Sequence, residues 1–84
     1  MPHFSERLRS LRKERGLTQW KMAGVCGIQL RSYQSYEYKQ SYPDVPGLLH
    51  LADFFEVSLD YLMGRSDVRE IQKTPEQIEK ECNQ

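Results

Sequence analysis

Phe4, Leu8 and Leu11 recur at spacings of four and three, and charged residues fill the positions between them. That period is the apolar stripe of a helix. Basic residues close the segment and Gly16 follows it, a combination that stops helices, so a first helix is predicted over about residues 4–15. Leu17-Thr18-Gln19 opens a second segment, with Thr18 suited to accept hydrogen bonds from the first-turn N–H groups. Met22, Ala23 and Cys26 form its inner side, and Gly27 breaks it after about two turns. A helix that short needs neighbours to pack on. Beyond Gly27 and the apolar Ile28, Tyr33 and Tyr36 mark the inner side of a third helix from about 29 or 30 to 38, with Gln29 a weak cap. A polar loop at 39–43 ends at Pro43. Asp44 caps a fourth helix that tolerates Pro46 in its first turn. Leu48, Leu51, Ala52 and Phe55 are its stripe, supported by Leu49 and Phe54. Ser58 caps a fifth helix, Asp60 sits in its first turn and Gly64 stops it. Residues 65–73 are charged and aperiodic. Thr74-Pro75-Glu76-Gln77 then combines a cap, Pro at the first helical position and Gln three residues after the cap, predicting a sixth, short helix over about 75–82. Its apolar content is thin, Ile78 and Cys82.

The pattern describes an all-α chain with no β-like alternation and no repeat. Its 84 residues allow one domain. The boundary falls at Gly64: a folded unit over residues 1–64, then a partly helical C-terminal tail over 65–84. With 38% hydrophobic and 29% charged residues and a mean hydropathy of -0.75, the chain can build one small core. No apolar run approaches the roughly 20 residues that span a bilayer, and residues 1–6 have no apolar signal region. Two cysteines, Cys26 and Cys82, are too few to staple a small secreted domain, so a reducing cytoplasm is the expected location.

The formal net charge of zero hides an asymmetry. Residues 1–39 hold eight bases (Arg7, Arg9, Arg12, Lys13, Arg15, Lys21, Arg31 and Lys39) against three acids (Glu6, Glu14 and Glu37), and residues 40–84 carry the compensating excess of acids. A polyanion would be drawn to the first half, although a lopsided solvated surface would give the same count.

Gln19 to Tyr38 is the informative stretch. Two short helices flank a Gly-containing turn, the small Ala23 suits a close helix crossing, and Gly27 suits a turn residue with positive φ. This is a helix-turn-helix over about residues 19–38, whose second helix enters a DNA major groove. A helix turns about 100° per residue. With Tyr33 and Tyr36 inward, Arg31, Gln34, Ser35 and Tyr38 fall on the outer side, and Gln29, Leu30 and Ser32 form the exposed tip. Arg31 can pair bidentately with guanine and Gln34 with adenine. Ser35 can bond to several base edges, and Leu30 can touch a thymine methyl. The loop Lys39-Gln40-Ser41-Tyr42 offers a cation, hydroxyls and N–H groups to the phosphate backbone, or is a plain polar connector.

Leu17-Thr18-Gln19-Trp20-Lys21-Met22-Ala23, through Gly27-Ile28 to Tyr36-Glu37, resembles the phage-repressor, or Xre-like, family of DNA-binding domains. The later run from Leu51 to Gly64 resembles that family's last two helices. The likeness covers about residues 4–64 and implies a compact, lambda-repressor-like bundle of five helices. It also implies sequence-specific binding of double-stranded DNA as a homodimer, in the manner of a transcriptional repressor. By the same resemblance Gln19 contacts a phosphate, and Arg12 and Glu37 join helices 1 and 3 as an ion pair. Leu59, Leu62 and Met63 are candidates for the dimer contact, or they close the monomer's core. Three positions depart from the family pattern: Tyr33 stands where a smaller aliphatic residue is usual, Trp20 and Lys21 replace residues that are often acidic, and Gln29 caps poorly.

Rival chemistry is thin. His3, His50, Cys26 and Cys82 match no zinc-ligand spacing. No phosphate-binding Gly-rich loop occurs, and Cys26 falls at a core position. Neither an enzyme nor a cofactor or metal site is expected. The alternative is an antitoxin or interaction module that binds a protein partner through residues 65–84, where Val68, Ile71, Ile78 and Cys82 are the apolar handles. That segment could equally be a dimerisation helix or a loosely ordered tail.

Overall fold

The computed structural model describes residues 2–70 of the chain. Among them five helices follow one another: α1 (Phe4–Glu14), α2 (Gln19–Cys26), α3 (Leu30–Glu37), α4 (Val45–Phe54) and α5 (Leu59–Leu62), and no strand occurs. The fold is an all-helical bundle of the kind the periodicity predicts. The sixth helix expected at 75–82 lies outside the described residues.

Local chemistry explains most boundaries. Thr18 Oγ1 accepts from Lys21 N at 3.1 Å, Asp44 Oδ1 from Gly47 N at 2.9 Å and Ser58 Oγ from Tyr61 N at 3.0 Å. Each side chain satisfies an N–H that the first turn leaves free. The cap of α1 is His3, which the sequence reading does not identify. Its Nδ1 accepts from Ser5 N at 3.1 Å, while Glu6 reaches back to His3 N at 3.3 Å. Glu6 three positions after the cap is the visible half of a capping box; an imidazole is an uncommon other half. Only α3 starts with no side-chain cap, as the weak signal at Gln29 predicts.

The core is assembled from every helix. Phe4, Leu8 and Leu11 of α1 meet Met22 and Ala23 of α2, Tyr33 of α3, Leu51 and Ala52 of α4, Phe55 and Val57 beyond it, and Leu62 of α5. Cys26, Ile28, Tyr36, Leu48 and Phe54 pack against it from partly buried positions. Leu49 does not support the inner stripe as expected: its side chain points outward and is 47% exposed. Leu51 and Ala52 fill the core and Leu48 packs against it, so the fourth residue of that run is turned away.

Two residues of the expected dimer contact, Leu59 and Met63, pack on the core from half-buried positions. Leu62 is a correction. It has no exposed surface, so its side chain closes the monomer and has nothing to offer a second copy.

Gly64 sits at φ 79°, and a Cβ there would lie 1.9 Å from the carbonyl oxygen of Pro2. The chain start and the end of α5 therefore touch backbone to backbone, which only glycine permits. Arg7 ties the same corner. It is largely buried, donates from Nη2 to Asp67 Oδ1 at 2.7 Å and lies 3.9 Å over the Tyr61 ring.

Candidate functional site

The α2–turn–α3 unit is fixed at its centre by Gly27, in the left-handed region at φ 68°. Gly27 N and Ile28 N donate back to Gly24 O and Ala23 O at 3.1 and 3.0 Å, closing α2 and reversing the chain. On the inner side of α3, Tyr33 is fully buried and Glu37 is 1% exposed; Tyr36 is half-buried, edge-on to Tyr33 at 6.3 Å. On the outer side Gln29, Arg31, Ser32, Tyr38 and Lys39 are exposed, and Leu30, Gln34 and Ser35 are half-buried. The structure thus brings the predicted α3 residues to one open flank, with half-buried Gln19 at its edge.

Glu37 is the hub behind that flank. Arg12 Nε donates to its Oε2 at 2.7 Å and Arg12 Nη2 to its Oε1 at 3.2 Å; Gln19 Nε2 also donates to Oε1 at 3.2 Å. Arg9 stands 3.7 Å from the same carboxylate and donates to the Glu37 carbonyl oxygen at 2.8 Å. Burial opposes ionisation of Glu37, yet Arg12, the neighbouring Tyr33 hydroxyl and Gln19 as hydrogen-bond donors, with the charge of Arg12, outweigh it and hold the carboxyl below the usual carboxylate range. Tyr33 Oη is buried beside it with no partner in hydrogen-bonding geometry among the described residues. Burial, and then the Glu37 carboxylate as acceptor and as charge, push that phenol far above its ordinary range.

Gln19 is tied to three side chains. Its Nε2 donates to Glu37 and, at 3.4 Å, to Tyr38 Oη, while its Oε1 accepts from Gln34 Nε2 at 3.1 Å. One amide hydrogen is directed to the buried Glu37 carboxylate and the other to the hydroxyl of the exposed Tyr38, and the main-chain N–H at the α2 start is a further donor for an anion. Ser35 is similarly occupied: its hydroxyl donates to Ser32 O at 2.6 Å and lies 2.6 Å from Ser41 Oγ. Arg31 makes no ion pair among the described residues.

Of the eight bases in residues 1–39, Arg7, Arg9, Arg12, Arg15 and Lys39 are within 4 Å of an acid. The Lys39 ammonium is 3.7 Å from Glu6, and Lys39 itself sits at φ 63°, a left-handed backbone that disfavours a side chain. Tyr42, in the following loop, is held by His3: Nε2 and Oη are 2.7 Å apart and the rings lie tilted by 40° with centroids 5.6 Å apart. Only Arg9 and Arg12 face a buried acid, the acids of the other three pairs are exposed, and Lys13, Lys21 and Arg31 have no acid within 4 Å among the described residues. No sequence signal separates these groups, because the acids that engage the others lie up to 60 positions away.

Cys26 is half-buried, and burial pushes its thiol up from the ordinary range, the reverse of an activated nucleophile. Among the described residues no cluster of His, Cys, Asp or Glu could hold a metal ion, and no helix is long and apolar enough to cross a membrane.

Residues 5–68 match the model of a helix-turn-helix domain family. An uncharacterized HTH-type transcriptional regulator of Bacillus subtilis, YqaE, is 37% identical over 76 residues, covering 89% of this chain and 66% of that protein. The cryptic phage CTXphi transcriptional repressor RstR of Vibrio cholerae is 42% identical over 62 residues, 74% of this chain and 55% of that one. The chain thus spans between 55% and 66% of the length of these two relatives. Among solved structures, a transcriptional regulator from Listeria innocua superposes with a TM-score of 0.72 at 30% identity, over 96% of this chain and 74% of the other. The P22 c2 repressor, solved with a synthetic operator, superposes with a TM-score of 0.71 over 79% of this chain and 100% of that one; at 24% identity it bears on the fold.

Proposed function

Since this chain belongs to the helix-turn-helix domain family, we propose that it binds double-stranded DNA sequence-specifically and regulates transcription by occupying its site, in the manner of a repressor. The observation that carries this reading is the open flank of α3. Arg31 is exposed and free of an ion pair among the described residues, Ser32 and Gln29 are exposed beside it, and the start of α3 has no side-chain cap to cover its N–H groups. A flank of that width enters a major groove, where Arg31 meets guanine and Gln34 meets adenine. Leu30 lies at the tip, and the main chain of Gln19 with the side chains of Tyr38 and Lys39 reaches the flanking phosphates. Ser35 orders the loop through Ser41 and contributes to readout from there.

A homodimer places two copies of α3 on half-sites about one helical turn, roughly 34 Å, apart. Half-exposed Leu59 and Met63 with the exposed Leu49 form the face for that contact, residues 1–64 being the DNA-binding unit and 65–84 a tail. The protein acts in the cytoplasm, where the DNA is. Selection of bound sites from random duplexes at fixed, physiological salt tests the reading. A palindromic enriched site is expected. Absence of any enriched sequence would overturn it in favour of a protein partner engaged through the tail.

A further inference from the structure

The chain Glu37–Gln19–Gln34 carries an implication beyond binding. A carboxylate only accepts hydrogen bonds. The end of the Gln19 carboxamide that faces Glu37 must therefore be its NH2, as the contact at 3.2 Å requires. The second hydrogen of that NH2 points to Tyr38 Oη at 3.4 Å, which leaves Gln19 Oε1 as the atom turned toward α3. An oxygen there demands a donor, and Gln34 supplies Nε2 at 3.1 Å. One Gln34 hydrogen is thus consumed, and its Oε1 and one remaining N–H are left for the open flank. A lone glutamine can turn its amide over to suit whichever base it meets. Here a buried acid two residues away in the relay forbids that.

We propose that Glu37, acting through Gln19 as a positioning residue, locks the polarity of the Gln34 amide and makes Gln34 selective for adenine and against guanine. This rests on the DNA-binding reading above and adds the rule by which one base pair is chosen. An outward acceptor with an adjacent N–H complements adenine, which presents the N6 amino donor and the N7 acceptor in the major groove. Guanine presents two acceptors, O6 and N7, so the fixed oxygen of Gln34 would face another oxygen. Turning the amide to avoid this would set Gln34 Oε1 against Gln19 Oε1. Turning Gln19 as well would set its oxygen against the Glu37 carboxylate. The penalty for guanine is passed inward until it reaches a charge that cannot change partner roles.

The relay is testable by base preference rather than by affinity. The site selected by the wild-type protein is varied one base pair at a time, and Gln34→Ala identifies the pair at which discrimination is lost. At that pair the wild type is expected to prefer adenine over guanine by about tenfold or more, the range of a bidentate contact. Gln19→Leu removes the relay while Arg12 still pairs Glu37; Gln19→Lys keeps a donor to Glu37 but supplies no acceptor, and it serves if the leucine variant is unstable. Either variant should let the Gln34 amide turn, so that the adenine-to-guanine ratio at that pair falls several-fold toward unity while ratios at the other pairs hold. A ratio unchanged in a folded Gln19 variant, or a wild type in which Gln34→Ala alters no pair, would overturn the relay. Failure of the wild type to bind any duplex would instead overturn the DNA-binding reading on which it stands.

Discussion

At the scale of single residues, the outer and inner faces of α3 make opposite demands. Arg31 is exposed and without an ion pair among the described residues, so its removal should leave folding intact. On the proposed function, Arg31→Ala should weaken specific binding by roughly 1–3 kcal/mol and relax preference at one base pair, read by titrating the selected duplex and its single-base variants. Tyr33 lies in the opposite situation. Its hydroxyl is buried beside the Glu37 carboxylate without reaching full hydrogen-bonding geometry, so its desolvation is only partly offset. Tyr33→Phe removes only that hydroxyl and its support of the Glu37 carboxylate, so the acid-induced drop in the urea midpoint should begin at a higher pH than in the wild type. Sequence alone flags Tyr33 as unusual and its ring as inward. It does not tell whether the hydroxyl finds a partner, because that depends on how closely Glu37 is surrounded by Arg12 and Gln19.

At the scale of the elements, turns and the polar hub hold the helices in register. Gly27 and Gly64 both have positive φ, but their surroundings differ. No atom lies within 4 Å of a Cβ built on Gly27, so Gly27→Ala should cost only the backbone penalty, about 1–2 kcal/mol. At Gly64 the Pro2 carbonyl blocks the methyl group, so Gly64→Ala should cost more than Gly27→Ala, because the chain start must also move. Thermal melts of the two variants side by side check the order. The Glu37 hub makes a separate prediction. Its folded-state pKa is depressed, so the stability it contributes is present above the unfolded carboxyl pKa of about 4.3 and is lost as pH falls through the folded value. Urea midpoints should drop on acidification below about pH 4.3 in the wild type and less steeply in Glu37→Gln, which starts from a lower midpoint at neutral pH. The helices themselves were legible because each stripe and most caps are local. Thr18, Asp44, Ser58 and the stop glycines Gly16, Gly27 and Gly64 announce boundaries within a turn. The His3 cap was not legible, since histidine is not among the usual cap residues and the Tyr42 contact on the far side of its ring comes from 39 positions away.

At the scale of the whole molecule, charge and assembly decide behaviour. Counting bases overstates the field, because five of the eight in the first half stand within 4 Å of an acid, two of them at the buried Glu37. Binding of duplex DNA should still weaken with salt, with a log–log slope of about −0.9 for each phosphate neutralised. The few cations left solvated, Lys13, Lys21 and Arg31, together with Lys39, argue for a slope of a few units per protomer rather than a steep one. Fluorescence anisotropy over a salt series measures it, and the single, 70% exposed Trp20 offers a label-free signal on the same flank. Light scattering should give a dimer at micromolar concentration, and substituting the half-buried Met63 with a charged residue should shift it toward monomer with its helices retained. The clasp between His3 and Tyr42 couples the cap of α1 to a loop 39 positions later, so on the proposed function a substitution at His3 would be felt at the phosphate-facing loop without altering that loop's own sequence.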